Sequence, residues 1–321
     1  MIVLAANAAI AQSRNRASWN DRLSHWERPA SDHEEAKIER AANIARNLIA
    51  NNAVLNGESV VVRPQGSYFN NTNVRLEADM DLRIQSPDII TRYADGVDRA
   101  AADNMAGYEH TGRSGPETAT TIREELAKIC RARFGWQNVT VGNKAVTVDG
   151  LDGSRADVDL VPCLRFHWIS NNSFGGFSTD EGVIIYGSDG RETINFPVQH
   201  NSNGITKRNN TRHRFKRVVR MLKQLNYELH NIGAISNRAP SFLVECLVYL
   251  VESGYFLWEN DDRLDRLKRV VDRCSDLMFD DAYTADATEI NEIKFLFRPG
   301  QAWTIADAKS FITAAQLRLN A

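Results

Sequence analysis

The sequence predicts an α+β fold in two lobes, and three observations lead there. Short β-branched runs alternate with helical stretches through the first two hundred or so residues. From about residue 205 onward every periodic segment reads as helix. Two of the strand runs, moreover, carry aspartates one residue apart inside otherwise apolar sequence. The expected division is residues 1–204, a mixed sheet with helices that includes an N-terminal helix, and residues 205–321, a helical lobe, with a cleft between them.

The elements follow in order. The opening "MIVLAANAAIAQ" lacks the basic start of a signal peptide and has only a short apolar run, so it reads as the beginning of a helix. Residues 33–50 have apolar positions at helical spacing and acids in the first turn. "SVVVRP" (59–64) and "DMDLRI" (79–84) are strand runs, separated by the turn chemistry of "GSYFNNTN". Residues 95–116 are polar and rich in Gly and Asp, an expected loop, and 117–134 is a helix that opens after Pro116 and closes at Gly135. "NVTVG", "KAVTV" and "RADVDLVPCLRF" read as strands, 170–182 as a polar loop, and "VIIYG" and "TINF" as further strands.

Composition excludes several classes. The chain of 321 residues is 25% charged and 43% hydrophobic, ordinary for a globular protein, and its formal charge is −2. No global field draws it onto nucleic acid or a membrane surface. The four cysteines (Cys130, Cys163, Cys246, Cys274) lie far apart with no CxxC pair, which argues against a zinc site or disulfide framework. No segment reaches the ~18 consecutive apolar residues of a membrane span. A cytoplasmic location is the expectation.

Chemistry concentrates in Arg63–Ile84, "RPQGSYFNNTNVRLEADMDLRI". In a strand, Asp79 and Asp81 point to one face while Met80 and Leu82 enter the core on the other. A lone pair of this kind also suits an edge strand with its polar face in water. Here Gly66 upstream allows close backbone approach to a ligand, and Ser67 offers a hydroxyl to a phosphate oxygen. Two carboxylates on one face repel unless a cation neutralises them, and a hard divalent ion such as Mg²⁺ suits oxygen donors. "ADVDLVPCL" (156–164) supplies further same-face acids, Asp157 and Asp159. Carboxylates from more than one strand are what a two-metal site requires.

Gly66-Ser67, eleven intervening residues, Asp79-Met80-Asp81 and the later Asp159-Leu160-Val161-Pro162 resemble the polymerase-β-type nucleotidyltransferase superfamily. "INFPVQHNSNGITKRNNTRHRFKRVVRMLKQL" (194–225) followed by "APSFLVECLVYLV" (239–251) is similar to the bacterial cGAS/DncV-like nucleotidyltransferases, most of all their E clade. The resemblance spans roughly residues 60–250. It implies a polymerase-β-like palm of mixed sheet and helices plus a C-terminal helical lobe, with the active site in the cleft. It also implies template-independent joining of nucleoside triphosphates into a cyclic di- or oligonucleotide second messenger of anti-phage signalling. Asp79, Asp81 and Asp159 fall on the family's metal positions, with Asp157 as the alternative third ligand, and Gly66 and Ser67 on its phosphate turn. The implied cofactor is two Mg²⁺ ions, for which Mn²⁺ can stand in. The implied substrates are ATP with UTP or another NTP, and a downstream effector is met only through the product.

The segment 207–225, "KRNNTRHRFKRVVRMLKQL", carries eight Lys or Arg and no acid. On a helical wheel Phe215, Val218, Val219, Leu222 and Leu225 form one stripe, and Arg212, Lys216, Arg220 and Lys223 a basic stripe beside it. A one-sign stripe repels itself, so an anion is expected nearby. By the resemblance, Lys223 and Ser241 match phosphate-contacting positions and Phe242 lies near the base. His200, Asn203 and Lys207 form "PxxHxxNGxxK", in which His200 reads as a structural hydrogen-bonding residue rather than a general base. Arg165, Phe166 and His167, or Phe242, are the base-reading candidates. The rival readings are a nucleotidyltransferase with a macromolecular acceptor (RNA tailing or protein AMPylation) and an inert nucleotide sensor. The first calls for a larger basic surface than a −2 chain offers, and the second for lost carboxylates.

Overall fold

The computed structural model describes residues 2–29, 31–74, 80–108, 112–258 and 262–321. Its helices are α1 Ile2–Trp26, α2 Asp32–Ala50, α3 Ala53–Gly57, α4 Gly66–Phe69, α5 Arg99–Ala106, α6 Gly115–Phe134, α7 Pro197–Asn210, α8 Arg214–Asn231, α9 Ser241–Leu250, α10 Arg263–Phe279, α11 Asp281–Asp286 and α12 Ile305–Asn320. Its strands are β1 Val61–Gln65, β2 Met80–Tyr93, β3 Val139–Val141, β4 Val146–Val148, β5 Val158–Asn171, β6 Phe177–Tyr186 and β7 Glu192–Asn195. Two compact units result. One comprises residues 31–69 and 77–198, the other residues 1–30, 70–76 and 199–321.

The first unit is built on a seven-stranded mixed sheet in the order β1-β2-β5-β4-β3, with β6 and β7 continuing from the far half of β5. β2 and β5 are parallel, and the chain crosses between them through α5, α6 and the β3–β4 hairpin. One face of the sheet is apolar because every second residue is. Met80, Leu82 and Ile84 of β2 and Val158 and Leu160 of β5 pack against Ile38, Ala42 and Ile49 of α2 and Ile122, Leu126 and Cys130 of α6. α2 starts at a capping box formed by Ser31 and Glu34. Pro64, which has no N–H to give a ladder, lies on the edge strand β1. Pro87 lies at the register shift in β2 between Ser86 and Ile89.

The second unit is helical. Trp19 and Leu23 of α1 share a core with Phe215, Leu222 and Leu225 of α8, Val244 and Leu247 of α9, Val270 of α10 and Phe311 and Ile312 of α12. α1 therefore belongs with the C-terminal helices, where the sequence had placed it with the sheet. The apolar stripe expected on 215–225 forms this core. No described helix is long and apolar enough to cross a membrane.

Three local expectations are corrected. Residues 95–116 contain a helix, α5, capped by the Asp98 side chain and closed by Gly107 in the left-handed region (φ 65°). The expected loop 170–182 ends early, because β6 begins at Phe177 and pairs Phe177 with Asn171. The basic segment 207–225 is not one helix. Arg212 and His213 adopt positive φ (48° and 64°) between α7 and α8, and Thr211 bridges the break. Its hydroxyl donates to Lys207 O and accepts from Phe215 N.

Candidate active site

The sheet's second face carries the acids. Asp81 and Asp159 are register partners on the parallel pair β2–β5, and Gln65 stands opposite Asp81 on β1. The half-buried Asp159 is oriented by a residue the sequence reading missed: Thr147 of β4, its register partner on the other side, donates from Oγ1 to Oδ1 at 2.6 Å. "KAVTV" does place one polar residue between two valines, which marks a polar face on that strand but not its partner. Asp157 is differently employed. It precedes β5, and its carboxylate accepts from the Gly150 backbone N–H, closing the turn before the strand. Asp79 lies outside the described residues.

Gly66 has φ 73° and approaches Asp81 so closely that a Cβ would overlap the Asp81 Oδ2 position. Only glycine meets both conditions. Ser67 follows at once in the single turn α4. Gly66, Asp81 and Asp159 are thus brought together on one sheet face, with Ser67 next in the chain. Two carboxylates on adjacent strands, with no side chain at position 66 to fill the space, offer the hard oxygen donors that suit Mg²⁺ or Mn²⁺.

Lys223, Ser241 and Phe242 lie in the helical unit. Lys223 Nζ donates to Glu245 Oε1 at 2.5 Å and to Thr72 O at 3.0 Å. Thr72 Oγ1 donates to the same Glu245 oxygen at 2.7 Å, and His200 Nε2 stands 3.6 Å from the other. Burial would raise the Glu245 pKa, but Lys223 and His200 outweigh it and hold the carboxylate down to about 2. Arg220 donates to the carbonyls of Glu27 (2.7 Å) and Asn71 (2.6 Å), and burial pushes its pKa down to about 10. The basic stripe is therefore buried from Lys216 to Lys223. Its anion is Glu245 together with the backbone carbonyls of residues 71 and 72. Ser241 opens α9 one turn before Glu245, and Phe242 lies between His200 and Trp303, with ring centroids 5.4 and 5.8 Å away.

The "PxxHxxNGxxK" residues are internal ties of the same unit. Asn203 donates to Ile290 O at 2.8 Å and Lys207 to Val251 O at 2.5 Å. The β5 candidates for base reading are separated from the carboxylates, since Arg165 lies six residues beyond Asp159, about 20 Å along a strand. Phe166 packs on Phe196, and His167 is bonded to the Tyr108 hydroxyl.

The fold is that of the polymerase-β-type nucleotidyltransferases. The model of the cGAS/DncV-like nucleotidyltransferase C-terminal helical domain matches residues 202–320. A cyclic dipyrimidine nucleotide synthase, CdnE, of Legionella pneumophila is 31% identical over 298 residues, 92% of this chain and 96% of its own. A cyclic dipurine nucleotide synthase of Elizabethkingia meningoseptica is 33% identical over 298 residues, 90% and 94% of the two chains. The structure of an Elizabethkingia meningoseptica CdnE cyclic dinucleotide synthase with GTP and Apcpp superposes with TM-score 0.74 at 28% identity, covering 94% of this chain and 99% of that one. The chain belongs to the cGAS/DncV-like nucleotidyltransferases, within their E clade.

Proposed function

We propose that this protein joins nucleoside triphosphates, without a template, into a cyclic di- or oligonucleotide and releases pyrophosphate. One observation carries the reading: Asp81 and Asp159 are direct register partners beside a glycine that only an unsubstituted backbone can occupy. Family membership and the two synthases above support the same reaction class.

Asp81 and Asp159, with Asp79, would hold the divalent ions. When bound, these neutralise the triphosphate and lower the pKa of the acceptor hydroxyl. The chain's own residues position the reactants. Thr147 fixes one oxygen of Asp159. The Gly66–Ser67 turn receives the donor's β- and γ-phosphates. Family position assigns Lys223 and Ser241 to a phosphate-contacting role and Phe242 to a base. An acceptor ribose hydroxyl gives up its proton to solvent and attacks the α-phosphorus, the new O–P bond forms, the bond to the bridging oxygen breaks, and pyrophosphate leaves opposite the attack. A second attack within the linear product closes the ring.

Relatives 31% and 33% identical are named for dipyrimidine and for dipurine products, so similarity does not choose the bases. The test is to incubate the protein with Mg²⁺ and four NTPs, one α-labelled at a time, beside Asp81→Ala. Phosphatase-resistant small products lost in the variant are expected. Label found only in RNA or protein would instead identify a macromolecular acceptor.

A further inference from the structure

Two residues from the carboxylates, the same sheet face carries a row of arginines. Arg63 of β1 stands directly opposite Arg83 of β2, as Gln65 stands opposite Asp81. Side chains so paired have Cβ atoms about 5 Å apart, and like charges there destabilise the pair. Among the described residues neither guanidinium has a carboxylate within ion-pair distance, and Nε of the half-buried Arg83 has no hydrogen-bond partner. Two cations are thus held side by side on the site's face with no ion-pair partner among the described residues.

Their position assigns the anion. Along β1 the polar face presents Arg63, then Gln65, then the Gly66–Ser67 turn. The order on that face is arginine row, carboxylate row, phosphate turn, with about 6.8 Å between the two rows. A donor triphosphate runs from the carboxylates toward Gly66–Ser67. In-line displacement places the attacking oxygen opposite the leaving pyrophosphate, hence on the arginine side. From that oxygen the acceptor's own 5′-phosphates are about one ribose further on.

We propose that Arg63 and Arg83 bind the 5′-phosphates of the acceptor nucleotide. This rests on the synthase reading above and gives the site a selection rule. An acceptor without a triphosphate can be extended once but can never serve as donor for ring closure. Reading phosphate at the acceptor position excludes such dead ends before the first bond forms.

The test uses labelled donor NTP with two acceptors of each base, the free nucleoside and its α,β-methylene triphosphate, which can accept but cannot donate. Wild type should prefer the methylene triphosphate in KM by about tenfold or more, the worth of one charge-assisted hydrogen bond. Arg63→Gln and Arg83→Gln should collapse that ratio toward one, Arg83→Lys should restore part of it, and the KM of the donor should not move. A ratio unchanged in both Gln variants overturns the proposal, as does equal loss of donor and acceptor affinity. Arg63 is exposed on an edge strand, so Arg63→Gln keeps the experiment interpretable if Arg83→Gln fails to fold. If wild type makes no phosphodiester with any acceptor, the synthase reading is what fails. Calorimetric titration with inorganic tripolyphosphate then decides the arginines: binding weakened in both variants supports them, and unchanged binding overturns them.

Discussion

Lys223 Nζ lies 2.5 Å from Glu245 Oε1, and neither side chain is more than 5% exposed. A pair so far from water is costly to break from one side, because the remaining charge is stranded. Lys223→Met should destabilise the protein by roughly 3–5 kcal/mol. The double variant Lys223→Met/Glu245→Gln should recover part of that loss, since no net charge then remains buried. Urea unfolding of the three proteins checks both statements. A Lys223→Met variant as stable as wild type would show that the pair does not form in solution.

The same pair predicts an acid limb of stability. Glu245 is held down to about 2 in the folded protein, below the ~4.3 of an unperturbed glutamate. Its contribution is complete above the unfolded value and is lost as pH falls from there toward 2. Urea midpoints measured from pH 6 to pH 3 should fall more steeply for wild type than for Glu245→Gln. Equal slopes would remove Glu245 from the account.

Gly66→Ala should harm catalysis more than folding. The new methyl meets the Asp81 carboxylate and must also adopt φ 73°. A backbone held in that region costs on the order of 1–3 kcal/mol. Displacing a reacting group by an ångström lowers rate by about a hundredfold. Turnover at saturating NTP should drop by that order while the circular dichroism spectrum is retained.

The sequence made some of this visible and hid the rest for physical reasons. Asp81 and Asp159 were legible because a strand's period of two separates them cleanly from Met80, Leu82 and Leu160. α5 was hidden because only Ala102 is buried along it, so it leaves no apolar stripe. The break at Thr211–His213 was invisible because it is made by an arginine and a histidine at positive φ, without a glycine to mark it. The basic stripe called for an anion and, by the resemblance, for a triphosphate. It could not say that the partner is Glu245, 22 residues beyond Lys223 on another helix. Nor could spacing along one strand reveal that Thr147, from a different hairpin, orients Asp159.

Asp157 and Asp159 are two residues apart and chemically identical, and the structure gives them different work. Asp159 faces Asp81 across the parallel pair, whereas the Asp157 carboxylate accepts from the Gly150 N–H before the strand begins. Asp159→Asn should therefore abolish nucleotide joining with little change in stability, because Thr147 can still donate to the amide oxygen. Asp157→Asn should cost about 1 kcal/mol or somewhat more, through a weakened charge-assisted bond, and leave most of the activity. Thr147→Val, which removes the donor but keeps the shape, should lower turnover by about tenfold, as expected when one orienting bond of about 1.4 kcal/mol is lost. Turnover and urea midpoints of the three variants separate the roles. If Asp157→Asn were the inactive one and Asp159→Asn active, the third ligand would have to be moved to Asp157.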